Sequence, residues 1–178
     1  VSEHTPDRFN LAACDYAYDP EATAPSWLAF LEQILPGDTE AQALLQQWFG
    51  YVLSGRTEQH KIMNIVGPRR SGKGTIASVL EALVGVAATA SSTISDLIKD
   101  FGTMGMLGKR LVLFPDERWN VPGVSQAVPM LLQMGATDTM QTRVKYKRPV
   151  YVKNTARVMF CSNDAPSFTD ASGALTGR

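Results

Sequence analysis

The stretch that decides the fold is Gly67-Pro68-Arg69-Arg70-Ser71-Gly72-Lys73-Gly74-Thr75. An apolar run over residues 62–66 precedes it, and a run with helical spacing over residues 76–83 follows it. Glycines allow the backbone to curl so that successive N–H groups point inward, and the N-terminus of the next helix adds a partial positive charge. A strand, a glycine-bounded loop and a helix in this order predict a phosphate-binding loop (P-loop).

Two side chains at the end of this loop have predicted roles in nucleotide binding. Lys73 is expected to reach the β- and γ-phosphates, and a hydroxyl is expected to hold Mg²⁺. Position 74 is Gly, so Thr75 supplies that hydroxyl one place later than in the common Gly-Lys-Ser/Thr pattern. We therefore predict ATP and Mg²⁺ as cofactors. The predicted cofactor-binding residues are Gly67, Pro68, Arg69, Arg70, Ser71, Gly72, Lys73, Gly74 and Thr75.

The composition indicates a folded chain without a strong overall charge. Its 178 residues are 44% apolar, and 17 basic residues balance 17 acidic ones. This length predicts one domain, or one domain with a small appendage, and no stretch approaches the ~20 apolar residues of a membrane span. The first residues lack the apolar core of a secretory signal, and the two cysteines lie far apart, which predicts reduced thiols. We expect a cytoplasmic protein without membrane contact, and a piece of a longer chain.

Helical patterns divide the chain into two parts. Residues 1–57 are predicted to form an extended leading segment and a small helical bundle, and residues 58–178 the nucleotide-binding core. In the first part, Pro25 opens one helix, and Asp38 is a predicted N-cap for the next. Apolar residues at three- and four-residue spacing form the predicted core stripes of these helices, Trp27, Leu28, Leu31, Ile34 and Leu35 in one and Ala41, Leu44, Leu45, Trp48, Phe49, Val52 and Leu53 in the other.

The second part predicts an α/β domain with a mainly parallel sheet and a β-hairpin. Its expected elements after the P-loop helix are a short helix over residues 93–99, a buried strand over 109–117, a helix over 125–134, a hairpin over 139–152 and a strand over 157–163. Pro129 gives an alternative start for the second of these helices, because proline suits a first helical turn.

Polar residues end two of the predicted strands. Asp116 and Glu117 end one strand, and Asn163 ends the other. We predict that Asp116 binds Mg²⁺, as the acid of a Walker B motif does, and that Glu117 orients and polarises the water that attacks the γ-phosphate. Asn163 is expected to hydrogen-bond that water or the γ-phosphate. The predicted catalytic residues from this reasoning are Lys73, Glu117 and Asn163.

Basic residues concentrate in the hairpin region. From Thr139 to Asn163 there is no Asp or Glu, and the run contains Arg143, Lys145, Lys147, Arg148, Lys153 and Arg157. Six positive charges in an otherwise balanced chain predict an anionic partner or a neighbouring acidic surface.

The order of these motifs resembles superfamily III helicases, and more closely the phage and plasmid primase-helicases related to the poxvirus-type enzymes. The segments that carry the resemblance are the leading residues 18–31, the run over 45–55 into the P-loop strand, the stretch 135–147, Ser162-Asn163-Asp164-Ala165-Pro166 and the end of the chain over 170–178. Together they cover nearly the whole chain.

This resemblance implies a P-loop NTPase of AAA+-like fold that forms a hexameric ring and unwinds DNA during phage or plasmid replication. It implies that Arg143, Lys145, Tyr146 and Lys147 lie on a hairpin that contacts single-stranded DNA. It also implies that Arg178 is an arginine finger reaching a neighbouring subunit, a role that can contribute ~10³–10⁵ in turnover. A primase domain or other replication proteins are further expected partners, in the cytoplasm of a bacterial host.

Two other functions stay open at this point. A nucleoside monophosphate kinase would explain Gly72-Lys73-Gly74-Thr75, but not the long segment ahead of the loop or the Asp116-Glu117 pair. An ATP-gated DNA-binding initiator or scaffold module would keep the same site without unwinding DNA.

Overall fold

The part of the chain that the structure describes contains five helices and six strands. The structure is a computed structural model that describes residues 14, 16–119, 123–136 and 138–166. The helices are α1 (Pro25–Ile34), α2 (Thr39–Ser54), α3 (Lys73–Val84), α4 (Ile94–Leu97) and α5 (Val124–Ala136), and the strands are β1 (Met63–Val66), β2 (Thr89–Ser91), β3 (Leu111–Glu117), β4 (Thr139–Thr142), β5 (Val150–Lys153) and β6 (Arg157–Ser162). Two short 3₁₀ helices, Val86–Ala88 and Met104–Met106, lie between them.

Four parallel strands form the central sheet in the order β1-β6-β3-β2. All six residues of β6 and the first four of β3 are buried, as expected for strands that are covered on both faces. Residues of one face, among them Leu111 and Met159, pack against α2 and α3, and those of the other face, among them Val112 and Phe160, pack in the core that contains α4 and α5. The predicted mixed α/β architecture with a mainly parallel sheet is confirmed.

A β-bulge explains how Pro115 fits inside β3. Phe114 pairs with Phe160 and Glu117 pairs with Ser162, so two residues of β3 stand opposite the single residue Cys161. Proline has no N–H to donate, and bulges are places where a strand tolerates this loss. The bulge brings Asp116 to the surface and leaves Glu117 buried.

The two leading helices pack on the sheet through a narrower stripe than predicted. Asp38 caps α2 by accepting a hydrogen bond from the Ala41 N–H at 2.9 Å, and Gly55 ends the helix in a left-handed conformation. The residues that pack into the core repeat at i, i+3, i+4 and i+7 in α1, and in α2 Tyr51 joins the same repeat. They are Trp27, Phe30, Leu31 and Ile34 in α1 and Leu45, Trp48, Phe49, Tyr51 and Val52 in α2.

Three leucines of the predicted stripes are therefore exposed. Leu28, Leu44 and Leu53 flank the buried stripe by one helical position, and their side chains are exposed to solvent. The prediction that they belong to the core is wrong. The division at residue 57 stays a prediction, although the described helices of the first part share one core with α3 and the sheet.

Helix α5 extends beyond its predicted bounds and contains a proline. It begins at Val124, so the alternative start at Pro129 is wrong. Pro129 cannot donate the usual hydrogen bond to the Ser125 carbonyl, and the helix continues because its apolar face, including Ala127, Leu131 and Met134, is buried.

The predicted hairpin is confirmed as a separate two-stranded antiparallel sheet. Strands β4 and β5 pair from Thr139 with Lys153 to Thr142 with Val150. Met140 packs into the core beside α5, which holds the base of the hairpin against the domain. No helix in the parts of the chain that the structure describes has the length and apolar character needed to cross a membrane.

Candidate functional site

The loop between β1 and α3 is shaped by two glycines. Arg70 and Gly72 have positive φ angles of 62° and 88°, which turn the chain into the first turn of α3. A Cβ on Gly72 would lie 3.0 Å from the Ile34 and Phe30 side chains, so α1 packs directly on the loop. A Cβ on Gly67 would lie 2.9 Å from Ser71 Oγ. Both glycines therefore permit a tight loop that other residues would widen.

Lys73 joins this loop to the end of a second strand. Its Nζ donates to the carbonyls of Gly67 and Pro68, each at 2.7 Å, and to Asn163 Oδ1 at 3.2 Å. Strands β1 and β6 are neighbours, and the Gly67 N–H continues their ladder by donating to the Ser162 carbonyl at 3.2 Å. The structure thus brings the predicted residues Lys73 and Asn163 together at the carboxyl edge of the sheet.

A short turn holds Asn163 in place. Ser162 is fully buried, and its Oγ donates to the Asp164 carbonyl at 2.9 Å. The amide of Asn163 therefore lies on a turn closed by its neighbours, which limits the positions that its side chain can take.

The two acids that end β3 occupy different environments. Asp116 is exposed, whereas Glu117 is buried and its Oε1 accepts a hydrogen bond from the Ile94 N–H at 3.0 Å. Burial raises the pKa of Glu117, and the charges of Asp116 and Asp96 add to the rise, while hydrogen bonds from backbone N–H groups oppose it. The two acids differ in the way that a metal ligand and a general base would require.

The residues present fit a Mg²⁺ ion that is bound together with phosphates. Thr75 and Asp116 are both exposed, and they were the predicted metal ligands. Among the described residues, no three His, Cys, Asp or Glu side chains gather closely enough to hold a metal ion by themselves. Mg²⁺ is commonly bound through one or two carboxylates plus substrate phosphates and water, which is the arrangement that this donor set allows.

The tip of the hairpin carries exposed basic and aromatic side chains. Lys145, Tyr146, Lys147 and Arg148 are all exposed, and Tyr146 has a positive φ of 63° at the turn. The turn is closed by a hydrogen bond from the Lys147 N–H to the Val144 carbonyl at 3.2 Å. Three of the four predicted DNA-binding residues, Lys145, Tyr146 and Lys147, therefore share one surface.

The fourth, Arg143, lies where β4 enters the hairpin turn and has an acidic partner. Its guanidinium forms an ion pair with Asp100 at 2.5 Å. Sequence reasoning missed Asp100 because 43 residues separate the two. The sequence does indicate the start of the short helix that precedes Asp100. Thr93-Ile94-Ser95-Asp96 matches an N-cap pattern, and the Thr93 hydroxyl accepts a hydrogen bond from the Asp96 N–H at 3.1 Å.

Arg157 does not belong to the basic surface. It is buried on β6, where its guanidinium donates to the Tyr51 hydroxyl at 3.3 Å and lies 5.6 Å from the centre of the Tyr51 ring. The prediction that all six basic residues of the acid-free run face an anionic partner is wrong for this residue, because β6 is the most buried strand of the sheet. The predicted arginine finger, Arg178, lies outside the described residues.

Comparison with solved structures identifies the class of fold. The apo structure of the NrS-1 C-terminal region is 16% identical over 85% of this chain and 37% of that chain, with a TM-score of 0.71. A second apo form of that region is 17% identical over 80% of this chain and 34% of the other, with a TM-score of 0.67. The JCV helicase bound to a thiazolopyridine acetamide is 13% identical over 84% of this chain and 41% of that chain, with a TM-score of 0.59. The chain therefore has a helicase-like α/β fold and spans 34–41% of the length of these structures.

The family is given by a sequence comparison. Residues 65–178 match the model of a family of unknown function, DUF5906, and the chain belongs to this family. The matched segment begins in β1 and includes the loop, the acidic pair, the hairpin and Asn163.

Proposed function

We propose that this chain is the motor part of an ATP-dependent DNA helicase that forms a hexameric ring around single-stranded DNA. The contact between Lys73 Nζ and Asn163 Oδ1 carries this proposal. It joins the predicted phosphate-binding loop to the predicted sensor of the γ-phosphate, as hydrolysis of a bound nucleotide would require. The helicase-like fold of the NrS-1 and JCV structures supports the same class of function.

Each residue of the site has a proposed task. The backbone N–H groups of residues 69–75 and the Lys73 ammonium bind the phosphates of ATP, and Asn163 orients the γ-phosphate or the attacking water. Glu117 accepts a proton from that water or polarises it. Mg²⁺, held by Thr75 and Asp116, supplies positive charge that offsets the charge developing on the phosphates.

The hairpin is the proposed contact with DNA. Lys145 and Lys147 bind phosphates as mobile point charges, which tolerate any base sequence, and Tyr146 offers a ring on which a base can stack. In a ring, the hairpins of several subunits converge on one channel. Arg178 is proposed, from the resemblance alone, to complete the active site of a neighbouring subunit, and a primase domain or replication proteins are proposed partners.

The test is ATP hydrolysis by the full-length protein with and without single-stranded DNA, over a series of protein concentrations. We expect DNA to stimulate hydrolysis, and the specific activity to rise steeply with protein concentration as rings form. Strand displacement on a forked duplex separates a helicase from an ATP-gated initiator. Hydrolysis that is indifferent to DNA and to concentration, or phosphoryl transfer to a nucleoside monophosphate, would contradict the proposal.

A mixing experiment with an Arg178 variant tests separately whether active sites are shared between subunits. Mixing Arg178→Ala protein with Lys73→Ala protein should recover part of the activity, because an intact finger then meets an intact loop at some interfaces. No recovery at any mixing ratio would contradict an action between subunits.

A further inference from the structure

We propose that residues 93–103 connect the Glu117 carboxylate to the hairpin, and that Asp100 is the residue that positions the hairpin through Arg143. The inference rests on the proposed function, and it assigns a positioning residue that lies in neither the nucleotide site nor the DNA-binding tip. Three sets of contacts carry it: one at Glu117, one within the connecting segment and one where β4 enters the hairpin turn.

The first contact fixes the start of α4 to the proposed catalytic acid. The Ile94 N–H donates to Glu117 Oε1 at 3.0 Å in a buried environment. Ile94 and Leu97 are almost completely buried in the core that also contains Phe114 and Trp119. A movement of the Glu117 side chain therefore removes the acceptor of a buried N–H, and α4 has to respond because such groups are rarely left unpaired.

The second set of contacts makes the connecting segment compact. The Lys99 N–H donates to the Asp96 carbonyl at 3.1 Å, and the Gly102 N–H donates to the Lys99 carbonyl at 3.0 Å. A Cβ on Gly102 would lie only 1.9 Å from the Asp96 carbonyl oxygen. Because successive turns touch in this way, a shift at α4 is passed on to Asp100 instead of being absorbed by a loose loop.

The third set of contacts reaches the end of β4, where the hairpin turn begins. Asp100 pairs with Arg143 at 2.5 Å, and the Thr103 hydroxyl lies 3.4 Å from that of Thr142. Arg143 and Thr142 are the residues at which β4 passes into the hairpin turn. An exposed ion pair contributes little to stability, but it sets the direction in which Arg143 and the adjoining turn lie.

Together these contacts make the state of Glu117 and the position of the hairpin depend on each other. Glu117 has to be accessible to water at the γ-phosphate during hydrolysis, and it is buried while it accepts from Ile94. The two arrangements of Glu117 therefore correspond to two positions of α4 and, through Asp100, of the hairpin. Thermodynamic linkage requires the effect to be reciprocal, so that nucleotide changes DNA affinity by the same factor as DNA changes nucleotide affinity.

The test measures that coupling factor with the full-length protein. Affinity for a labelled single-stranded oligonucleotide is measured with and without a non-hydrolysable ATP analogue, and affinity for the analogue is measured with and without DNA. In the unmodified protein we expect both ratios to agree at about 5- to 150-fold. Asp100→Asn should lower both ratios by up to about fivefold, which is as much as an exposed ion pair contributes, while affinity for the analogue without DNA stays the same.

A matched control and a rescue variant separate positioning from a general loss of structure. Lys99→Ala breaks the Lys99–Asp96 ion pair of the same segment, which does not touch the hairpin, and should leave the coupling intact. The double variant Asp100→Arg/Arg143→Asp reverses the ion pair. It should show a stronger coupling between nucleotide and DNA binding than Asp100→Asn does.

The possible failures have different meanings. If Asp100→Asn couples as strongly as the unmodified protein, or Lys99→Ala couples as weakly as Asp100→Asn, the inference is overturned. If both ligands bind the unmodified protein without any coupling, the inference is overturned although the proposed nucleotide and DNA sites stand. If the analogue does not bind at all, the proposed function fails and the inference fails with it.

Discussion

Lys73 Nζ lies 3.2 Å from Asn163 Oδ1, although 90 residues separate the two in the chain. The contact exists because β1 and β6 are parallel neighbours that end at the same edge of the sheet, where α3 begins and the Asn163 turn follows. A single ammonium group thereby touches both the loop carbonyls and the proposed sensor. A phosphate that binds Lys73 would therefore change the hydrogen bonding of Asn163 directly.

Removal of the Lys73 charge should weaken nucleotide binding strongly. Lys73→Ala loses a charge-assisted hydrogen bond worth ~1.5–3 kcal/mol to an anionic ligand, which is roughly 10- to 150-fold in affinity. Titration with a fluorescent ATP analogue would measure the loss. Lys109→Ala, which removes a lysine that donates to the Ala87 carbonyl away from the loop, is the control. If the unmodified protein, Lys73→Ala and Lys109→Ala bind the ATP analogue with equal affinity, the assignment of the phosphate-binding loop is wrong.

The Asn163 amide should act on hydrolysis more than on binding. Because the proposed hydrogen bond strengthens as charge develops on the γ-phosphate, Asn163→Ala should lower kcat by roughly 10²-fold. The KM for ATP should change little, since ground-state binding depends on the loop and Lys73. Steady-state hydrolysis assays measure both constants, and a raised KM with an unchanged kcat would contradict the sensor role.

Replacement of the Glu117 carboxyl should stabilise the fold near neutral pH while it abolishes hydrolysis. Burial raises the pKa of Glu117 above its ordinary value of 4.5, so the folded chain holds this proton more tightly than the unfolded chain. The stabilisation from the protonated form is complete below the ordinary pKa and is lost as the pH rises through the folded pKa. At pH 7–8, Glu117→Gln should therefore raise Tm, because the neutral amide carries no charge into the buried position.

The pH dependence of Tm in Glu117→Gln tests whether burial of the carboxyl causes the stabilisation. The difference in Tm between Glu117→Gln and the unmodified protein should shrink as the pH falls towards about 4, where both side chains are neutral. Asp116→Asn, at the exposed neighbour, is the control and should change Tm less at every pH. Hydrolysis by Glu117→Gln should fall by ~10²–10⁴-fold if the carboxylate is the general base. A Tm difference that does not depend on pH would contradict the effect of burial.

Hairpin lysines should determine how DNA affinity depends on salt. Each phosphate contact with single-stranded DNA contributes ~0.7 to the slope of log K against log salt concentration. Lys145→Ala and Lys147→Ala should each reduce the magnitude of that slope by about this amount while basal hydrolysis persists. Fluorescence anisotropy at several salt concentrations measures the slope, and an unchanged slope in both variants would place DNA elsewhere.

The tyrosine at the tip of the hairpin should contribute to DNA affinity independently of salt. Loss of base stacking in Tyr146→Ala is expected to weaken binding by ~1–3 kcal/mol. Tyr151→Ala is a matched control, because Tyr151 is also exposed on the hairpin but lies on β5, where its hydroxyl accepts from Gln141. Equal losses in the two variants would mean that the tip has no special contact with bases.

A methyl group at position 102 should destabilise the connecting segment. Gly102→Ala would place a Cβ 1.9 Å from the Asp96 carbonyl oxygen, and the backbone has to shift to relieve the clash. We expect a loss of ~1–3 kcal/mol in the free energy of unfolding, measured by urea denaturation. Gly105→Ala, where a Cβ would meet no atom within 4 Å, should be neutral or slightly stabilising. A neutral Gly102→Ala would mean that residues 96–102 are not packed tightly.

Much of the local structure could be predicted from short-range patterns. The strand and helix around residues 67–75, the Asp38 cap, the short helix after Thr93 and the hairpin over 139–152 all depend on interactions within a few residues. The sequence predicted less accurately which face of a helix is buried and what surrounds a charged side chain. Apolar spacing predicts Leu28 and Leu44 in the core, but they are exposed because each helix buries only one narrow face. The acid-free run predicts Arg157 on a basic surface, but Arg157 is buried.

The sequence by itself determined the strand–loop–helix at Gly67–Thr75 and the acids that end β3, because glycine conformations, caps and apolar spacing act locally. Only the tertiary structure decided that β6 lies between β1 and β3, that Glu117 accepts from Ile94 and that Asp100 pairs with Arg143. The order of parallel strands depends on how distant elements cover both faces of the sheet, and the partner of a charged side chain depends on that order. No spacing along the chain contains this information.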